Sequence, residues 1–482
     1  MGKIIAYWGV FFFAVFFLQQ GCSSELPAGA PSSLPAVNSD VPGTPYDKLN
    51  HPDAGADGSS DSDIQVADSG GPTDSGDLPV ADSGLDADAG TPDVGLKVCP
   101  VDIFRSATHA GDLKFGTKAE GELKGDCESV RYSLILAKGQ TAHVEAWGDH
   151  LTPDLRIYGP GRRGFLMQSI HYAPGVLSAI EITADIPGEY FVLISQAGRR
   201  GASGYTVEAA CRDKCGLVAT RYPIVLSHGF SGFKNIGPID YYYNVINTFN
   251  PQGYDLRMAV VDPYNSVQKR GPQLAAIIDR VLAETYAYKV NIISHSQGGL
   301  DSRFVISAMS YYDRVGMLVT LATPHKGTAI SDLALNDPAW MNSLKVLFGA
   351  VGIIIETEDQ EHNLEASLAS MSYATMAEFN KNYPPDPRVK YKSWACKSCP
   401  TLSSSCKNPV DIYFLPFYNA IYDMVGDNDG VVPTDSAIWE GFQGVLDSDH
   451  IDIIGQLMGM TGQLDYMAFY TKLLHDLVAE GW

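Results

Sequence analysis

Val290-Asn-Ile-Ile-Ser-His-Ser-Gln-Gly-Gly299 is the stretch that decides how this 482-residue chain is read. An apolar run of strand length leads into a serine flanked by small residues, and a helical stretch starts at Leu300. A serine held at the top of a sharp strand-to-helix turn needs small residues two positions to either side, because the backbone doubles back there. Gly298 meets that need, and Ser294 stands where glycine is usual. A nucleophile elbow centred on Ser296 is one reading, and a plain Ser/Gly turn is the other. The surrounding sequence decides between them.

Around this stretch, strands alternate with helices from about Gly216 onward. Ile224–Leu226, Met258–Val261, Val290–Ile293 and Met317–Leu321 read as short buried strands. Leu274, Ile277, Ile278, Val281 and Leu282 recur at the spacing of a one-faced helix. This is the βαβ rhythm of a mostly parallel sheet with helices on both faces. A serine turn at the carboxyl end of a central strand then sits where open α/β sheets bind ligands.

Residues 97–215 follow a different rhythm. Tyr132–Leu136, His143–Trp147, Asp154–Tyr158, Tyr190–Ile194 and Gly204–Glu208 are strand-like runs broken by Gly, Pro and Asp, without helical periods. They predict a small all-β sandwich ahead of the α/β domain of residues 216–482. Nothing in the sandwich reads as catalytic, so a spacer or surface-binding role is expected.

The first 96 residues read as export and tether. Residues 1–22 run from Lys3 through the apolar stretch Ile4–Leu18 to Gly21-Cys22-Ser23, an export signal too short for a comfortable membrane span. The segment resembles a bacterial lipoprotein signal in which Cys22 carries the lipid, although Gln19 stands where leucine is expected. A plain cleaved signal and an uncleaved anchor are the alternatives. Residues 23–96 are rich in Ala, Asp, Gly, Pro and Ser, with fourteen acidic side chains up to Gly95 against the single Lys48. Such a segment lacks the apolar surface to order itself. It supplies most of the net charge of −22, which therefore says little about the active domain and disfavours nucleic acid as a partner. Seven cysteines remain beyond Cys22, and in an exported chain most are expected in disulfides, with one left over. Cys396, Cys399 and Cys406 lack a well-spaced fourth zinc ligand, so disulfide bonding is the better reading there.

A serine nucleophile needs a base, and the base needs an acid to orient it. In the α/β-hydrolase order both follow the serine, acid first. Asp429, in Gly426-Asp-Asn-Asp-Gly-Val-Val-Pro433, is the acid candidate; it lies next to Gly430 and fits better than Asp427. The apolar run Ile412–Val425 before it suggests a late strand whose end carries the acid. His450, twenty-one residues beyond Asp429, is the base candidate among the downstream histidines His325, His362, His450 and His475. Two backbone N–H groups are needed for the oxyanion, one from Gln297 and one from Phe230 in Ser227-His-Gly-Phe230, where Gly229 allows close approach.

Tyr222-Pro-Ile-Val-Leu-Ser-His-Gly-Phe230, Asp240-Tyr-Tyr-Tyr243, the elbow, Ala322-Thr-Pro-His-Lys-Gly327, Glu378–Pro384, Ser393-Trp394 and Asn428-Asp-Gly-Val-Val432 occur in order. Together they resemble the secreted bacterial triacylglycerol lipases of the Pseudomonas and Burkholderia type over about residues 220–465. The sandwich likewise resembles the bacterial pre-peptidase C-terminal type of domain, through Leu136–Gln140, Pro153–Tyr158 and Pro187-Gly-Glu-Tyr190.

The lipase resemblance implies an α/β-hydrolase fold with Ser296 as nucleophile, Asp429 as acid and His450 as base. It also implies a structural Ca²⁺ held by Asp452, the backbone carbonyls of Gln456 and Met460, and a second aspartate best matched by Asp411. An ordinary loop-acid role is the alternative for both aspartates. The family's disulfide partner after the Asn-Asp-Gly motif is missing, since Thr434 and Asp435 stand near that place. Trp340, Leu344, Leu347, Phe348, Val351 and Ile355 form an apolar stripe. By resemblance this is a lid of about residues 336–358; by pattern alone core burial fits equally.

The expected protein is an exported lipase at the outer membrane, cell surface or outside the cell. It meets acylglycerols at an interface, is tethered to the membrane by its lipid, and is open to dependence on a dedicated foldase. Short-chain esterase, lipid acyltransferase and polyester depolymerase are rivals within the same chemistry. A non-catalytic surface-binding lipoprotein is the rival from another class.

Overall fold

The computed structural model describes residues 102–482 other than 126, 152, 172, 174, 197–200, 237–238, 351–362 and 403–406, with the side chains of 346–350 also excluded. The signal, Cys22 and the tether lie outside the described residues.

Residues up to Asp213 form two sheets. Five strands order as Thr108–Asp112, Ser129–Leu136, Gly188–Gln196, Pro153–Tyr158 and Phe165–Ile170, and four as Lys118–Leu123, Ser203–Asp213, Thr141–Trp147 and Ser178–Thr183. All pairings are antiparallel except the first strand's, which runs parallel to Ser129–Leu136. Alternate residues from both sheets fill one core, among them Leu134, Leu155, Val192, Val144, Ile180 and Val207. That is the period of two expected of strands with one face inward. The five strands read from the sequence all lie within observed ones, and a Cys211–Cys215 disulfide ties the end of the last to the residues that follow it.

The second domain is built on six parallel strands in the order Leu256–Ala259, Ile224–Ser227, Val290–His295, Val315–Leu321, Lys390–Lys397 and Phe442–Asp447. Every residue of Val290–His295 and Val315–Leu321 is buried, as a sheet covered on both faces requires. One face carries Val267–Thr285 and Gln297–Ser307, and the other Tyr466–Ala479. The helix from Val267 contains the one-faced pattern, with Leu274, Ile278, Val281 and Leu282 inward. This is an α/β-hydrolase fold preceded by a small all-β sandwich.

One expectation is corrected. The apolar run before Asp429 is a helix, Leu415–Val425, not a strand. Its buried residues Phe417, Tyr418 and Ile421 recur at three- and four-residue steps, while Tyr422, Met424 and Val425 are exposed. The strand that delivers the acid loop is Lys390–Lys397, whose lysine-rich sequence hides its pairing to Val315–Leu321.

The two domains meet at the amino ends of the strands. Arg221, just ahead of the first strand, pairs with Glu189 and Asp112 of the sandwich and donates from Nε to the Gly481 carbonyl at 2.9 Å. Arg162 donates through its backbone to the Tyr286 carbonyl at 2.7 Å and through its side chain to that of Ala287 at 3.2 Å.

Candidate active site

Val290–His295 ends in the elbow. Ser296 holds φ 55° and ψ −130°, a region that costs a side-chain-bearing residue about 1–3 kcal/mol and persists only where neighbours fix it. Here Ser296 N donates to the Leu321 carbonyl at 2.9 Å and Gly299 N to the Ser296 carbonyl at 3.0 Å. At Gly298 an added Cβ would lie 2.5 Å from the His228 carbonyl oxygen, so only glycine fits against the neighbouring strand. Ser294, where glycine is usual, points its hydroxyl at Ser302 Oγ at 2.8 Å. Ser302 donates onward to the Gly298 carbonyl at 2.7 Å, which leaves Ser294 as the donor. The departure from glycine is thus absorbed by a hydrogen bond across the turn.

Ser296 Oγ lies 3.0 Å from His450 Nε2, and His450 Nδ1 lies 2.8 Å from Asp429 Oδ2. Asp429 accepts two more bonds at Oδ1, from the amides of Val431 at 2.9 Å and Val432 at 2.7 Å. A carboxylate held by two amides keeps its second oxygen aimed at the imidazole. His450 can therefore draw the proton from Ser296 as the serine attacks, in the arrangement that activates a hydroxyl. Asp427 points elsewhere and pairs with Lys397 at the surface.

The oxyanion loop is clamped from behind. Arg270 is fully buried and donates to the carbonyls of His228 (2.9 Å), Gly229 (3.2 Å from both terminal nitrogens), Asp262 (2.9 Å) and Pro263 (3.3 Å), and from Nε to Asp301 (2.8 Å). His228, pushed down to about 3 by burial and by Arg270, is neutral and brings Nδ1 to 2.8 Å of the Gly229 carbonyl. In a trans peptide the C=O and N–H point in opposite directions. Anchoring the Gly229 carbonyl on Arg270 and His228 thus turns the Phe230 N–H the other way, away from Arg270. Gln297, the other expected donor, opens the helix after the serine; its side chain donates to the Asn265 carbonyl at 2.9 Å and accepts from Ser367 at 2.8 Å. Sequence reasoning missed Arg270 and Asp301, because their pairing joins two helices.

Behind His450 lies an acidic cluster. Asp411, Asp449 and Asp452 are buried and place carboxylate oxygens within 4.8 Å of one another. Asp449 also accepts from the amides of Ile451, Asp452 and Asp411. Burial, and then the Asp452 and Asp411 charges, hold the Asp449 carboxyl well above the usual carboxylate range. Three buried carboxylates resist ionising together unless a cation joins them, and an all-oxygen set suits a hard one. Asp411 and Asp452 thus come together as the sequence reading placed them, and Asp449 is an addition it passed over. Its signal was its position in Asp449-His-Ile-Asp452. Gln456 spends its side chain on the carbonyls of Asp240 (2.6 Å) and Tyr241 (2.9 Å), so any part it takes in holding a cation falls to its own carbonyl. Met460 is on the same turn, its amide donating to the Leu457 carbonyl at 3.1 Å.

The lid candidate is described over the helix Pro338–Ala350. Met341 and Leu344 are buried, and Trp340 packs on Phe417 with ring centroids 5.6 Å apart, in a cluster that also takes in Phe230. The Leu347 and Phe348 side chains, and Val351 and Ile355, lie outside the described residues. Among the cysteines, Cys127 and Cys399 are also disulfide-bonded, and the buried Cys396 is a free thiol. Among the described residues Cys396 is the free thiol, which burial pushes up and keeps protonated.

Residues 223–398 match the palmitoyl protein thioesterase family. The chain is 33% identical over 200 residues to a triacylglycerol lipase of Burkholderia plantarii, covering 38% of this chain and 54% of that protein. It is 28% identical over 267 residues to a triacylglycerol lipase of Vibrio cholerae, covering 51% and 83% respectively. The second domain is thus similar to bacterial triacylglycerol lipases. The first of these lipase matches spans only about half the length of the relative. A solved lipase of Bacillus licheniformis overlaps 52% of this chain and 91% of its own at 23% identity, with a TM-score of 0.40. The lipase fold itself rests on the strand order and the elbow described above.

Proposed function

We propose that the chain is an exported serine ester hydrolase that cleaves long-chain acylglycerols, a triacylglycerol lipase. The observation that carries this reading is the hydrogen-bonded row Asp429, His450, Ser296. His450 Nε2 takes the proton as Ser296 Oγ bonds to the ester carbonyl carbon, and the N–H groups of Phe230 and Gln297 receive the oxyanion. The imidazolium then protonates the leaving alcohol, giving the acyl-enzyme; water, deprotonated by His450, releases the fatty acid. Acylglycerols are favoured by the names of the curated relatives, and long acyl chains by the apolar helix Pro338–Ala350, which shares a cluster with Phe230. The thioesterase match supports a second reading within the same chemistry, an acyl thioester as substrate.

Asp411, Asp449 and Asp452, with the carbonyls of Gln456 and Met460, would hold Ca²⁺, whose charge would stabilise the loop carrying His450. Export, lipidation at Cys22 and attachment to the membrane rest on the sequence. Among the described residues no helix is long and apolar enough to cross a membrane.

The test is hydrolysis of emulsified long-chain and soluble short-chain esters and acyl thioesters by the full chain beside Ser296→Ala. Activity on the emulsion that vanishes in the variant is expected. Activity that survives in it would sink the mechanism, and preference for soluble short esters would replace lipase by esterase.

A further inference from the structure

The imidazole next to the nucleophile is buried and engaged at both nitrogens. His295 Nδ1 lies 2.7 Å from Tyr241 Oη, and His295 Nε2 lies 2.8 Å from the carbonyl oxygen of His450. Tyr241 Oη is also 2.9 Å from the amide nitrogen of Gly229. Four groups from distant parts of the chain therefore form one row: the oxyanion loop, a tyrosine from the following segment, the elbow and the base.

The protons in this row have only one arrangement. An amide nitrogen can only donate and a carbonyl oxygen only accept. Burial raises the Tyr241 phenol far above its usual value, so it keeps its proton. Burial, and then His450, hold His295 well below its own, so the ring is neutral. Gly229 N–H donates to Tyr241, Tyr241 donates to His295 Nδ1, and the ring's single proton on Nε2 goes to the His450 carbonyl.

We propose that Tyr241 and His295 are positioning residues that keep the oxyanion loop in register with the backbone of the base. Neither touches the reacting atoms. Gly229 N–H and the Gly229 carbonyl belong to the two peptides on either side of one glycine, the first held by Tyr241 and the second by Arg270 and His228. His450 is likewise held at its carbonyl by His295. Cutting the row at Tyr241 leaves the Gly229 amide buried without an acceptor, and lets the donor of Phe230 and the base drift independently. Displacements of a fraction of an ångström between reacting groups are costly to turnover.

The inference rests on Ser296 and His450 acting as proposed above, and the experiment reads the two separately. In the full chain, Tyr241→Phe removes only the hydroxyl; His295→Leu removes both ring nitrogens at similar volume; His295→Gln offers a donor near Nε2. With a soluble p-nitrophenyl ester, Tyr241→Phe is expected to lower kcat roughly tenfold while KM stays within about twofold. His295→Leu should lose at least as much, the double variant no more than His295→Leu alone, and His295→Gln should recover part of the loss. In parallel, the low-field proton resonance of the His450 Nδ1–H to Asp429 bond should shift in Tyr241→Phe and His295→Leu. Wild-type kcat with an unmoved resonance in Tyr241→Phe, or losses that multiply in the double variant, would overturn the proposal. A wild-type chain that cleaves no ester would overturn the functional reading instead, and the resonance would still report on the row.

Discussion

Asp429 and His450 are joined at two places. The side chains meet at 2.8 Å, and the His450 amide donates to the Asp429 carbonyl at 2.9 Å. The second bond fixes the distance between the two loops whatever the protonation of the first. Asp429→Asn keeps the backbone bond and the shape of the carboxylate but favours the wrong tautomer of His450. It is expected to lower kcat by about 10⁴-fold with little change in Tm. Steady-state kinetics and thermal unfolding on one preparation check both halves, and an Asn variant of near-normal kcat would remove Asp429 from its role.

Gly229 leaves no room for a side chain. An added Cβ would lie 2.5 Å from Ser296 Cβ and 3.0 Å from the His295 carbonyl oxygen. Gly229→Ala must push the oxyanion loop away from the serine, taking the Phe230 N–H with it. A fall in kcat of roughly a hundredfold or more is expected. An alanine variant as active as the parent would mean that Phe230 is not the donor.

Arg270 and Asp301 are both wholly buried, and Asp301 is pushed up to about 6 by that burial even beside the guanidinium. Arg270→Ala strands a buried carboxyl and takes the donor from four carbonyls. Denaturant unfolding should show a loss of about 3–5 kcal/mol. Arg270→Lys keeps the charge but not the fork, and should recover only part of it.

His228 is pushed down to about 3, and His295 and His325 well below their usual value, each chiefly by burial. Between pH 6.5 and those depressed values the unfolded chain binds protons that the folded chain refuses. Their contribution to stability is therefore complete above about pH 6.5 and is lost as pH falls. Each adds at most about 1.4 kcal/mol per pH unit across that window. A Tm that falls from pH 7 to pH 4 is expected; a flat profile would contradict the buried neutral rings.

Asp449 has the opposite sign. Its raised value makes cation-free protein less stable as pH climbs through and above the carboxylate range. A chelator should lower Tm at pH 8 more than at pH 5, and Asp452→Asn should blunt the difference. Identical unfolding with and without chelator at both pH values would rule against a cation there.

What was legible in the sequence was local. The elbow, the Asn-Asp-Gly turn and the one-faced helix Val267–Thr285 each carry their signal within a few residues. Ser296, Asp429 and His450 could be named because loop chemistry marks each separately. The strand Lys390–Lys397 and the helix Leu415–Val425 were misjudged or missed because pairing and one-sided exposure come from tertiary neighbours. Arg270, Asp301, Asp449 and the row through Tyr241 are relations between segments. Polar residues inside helices read as solvent-facing until the fold shows them buried.

The junction that Arg221 and Arg162 make between the two domains bears on access. Arg221, just ahead of one strand, grips the sandwich, and Arg162 of the sandwich grips Tyr286 and Ala287 ahead of another, whereas Ser296 follows the carboxyl end of a strand. A parallel strand of five or six residues puts these ends roughly 16–20 Å apart. The sandwich is therefore joined to the α/β domain at the end of the sheet opposite Ser296, and this junction leaves the end that carries the serine clear.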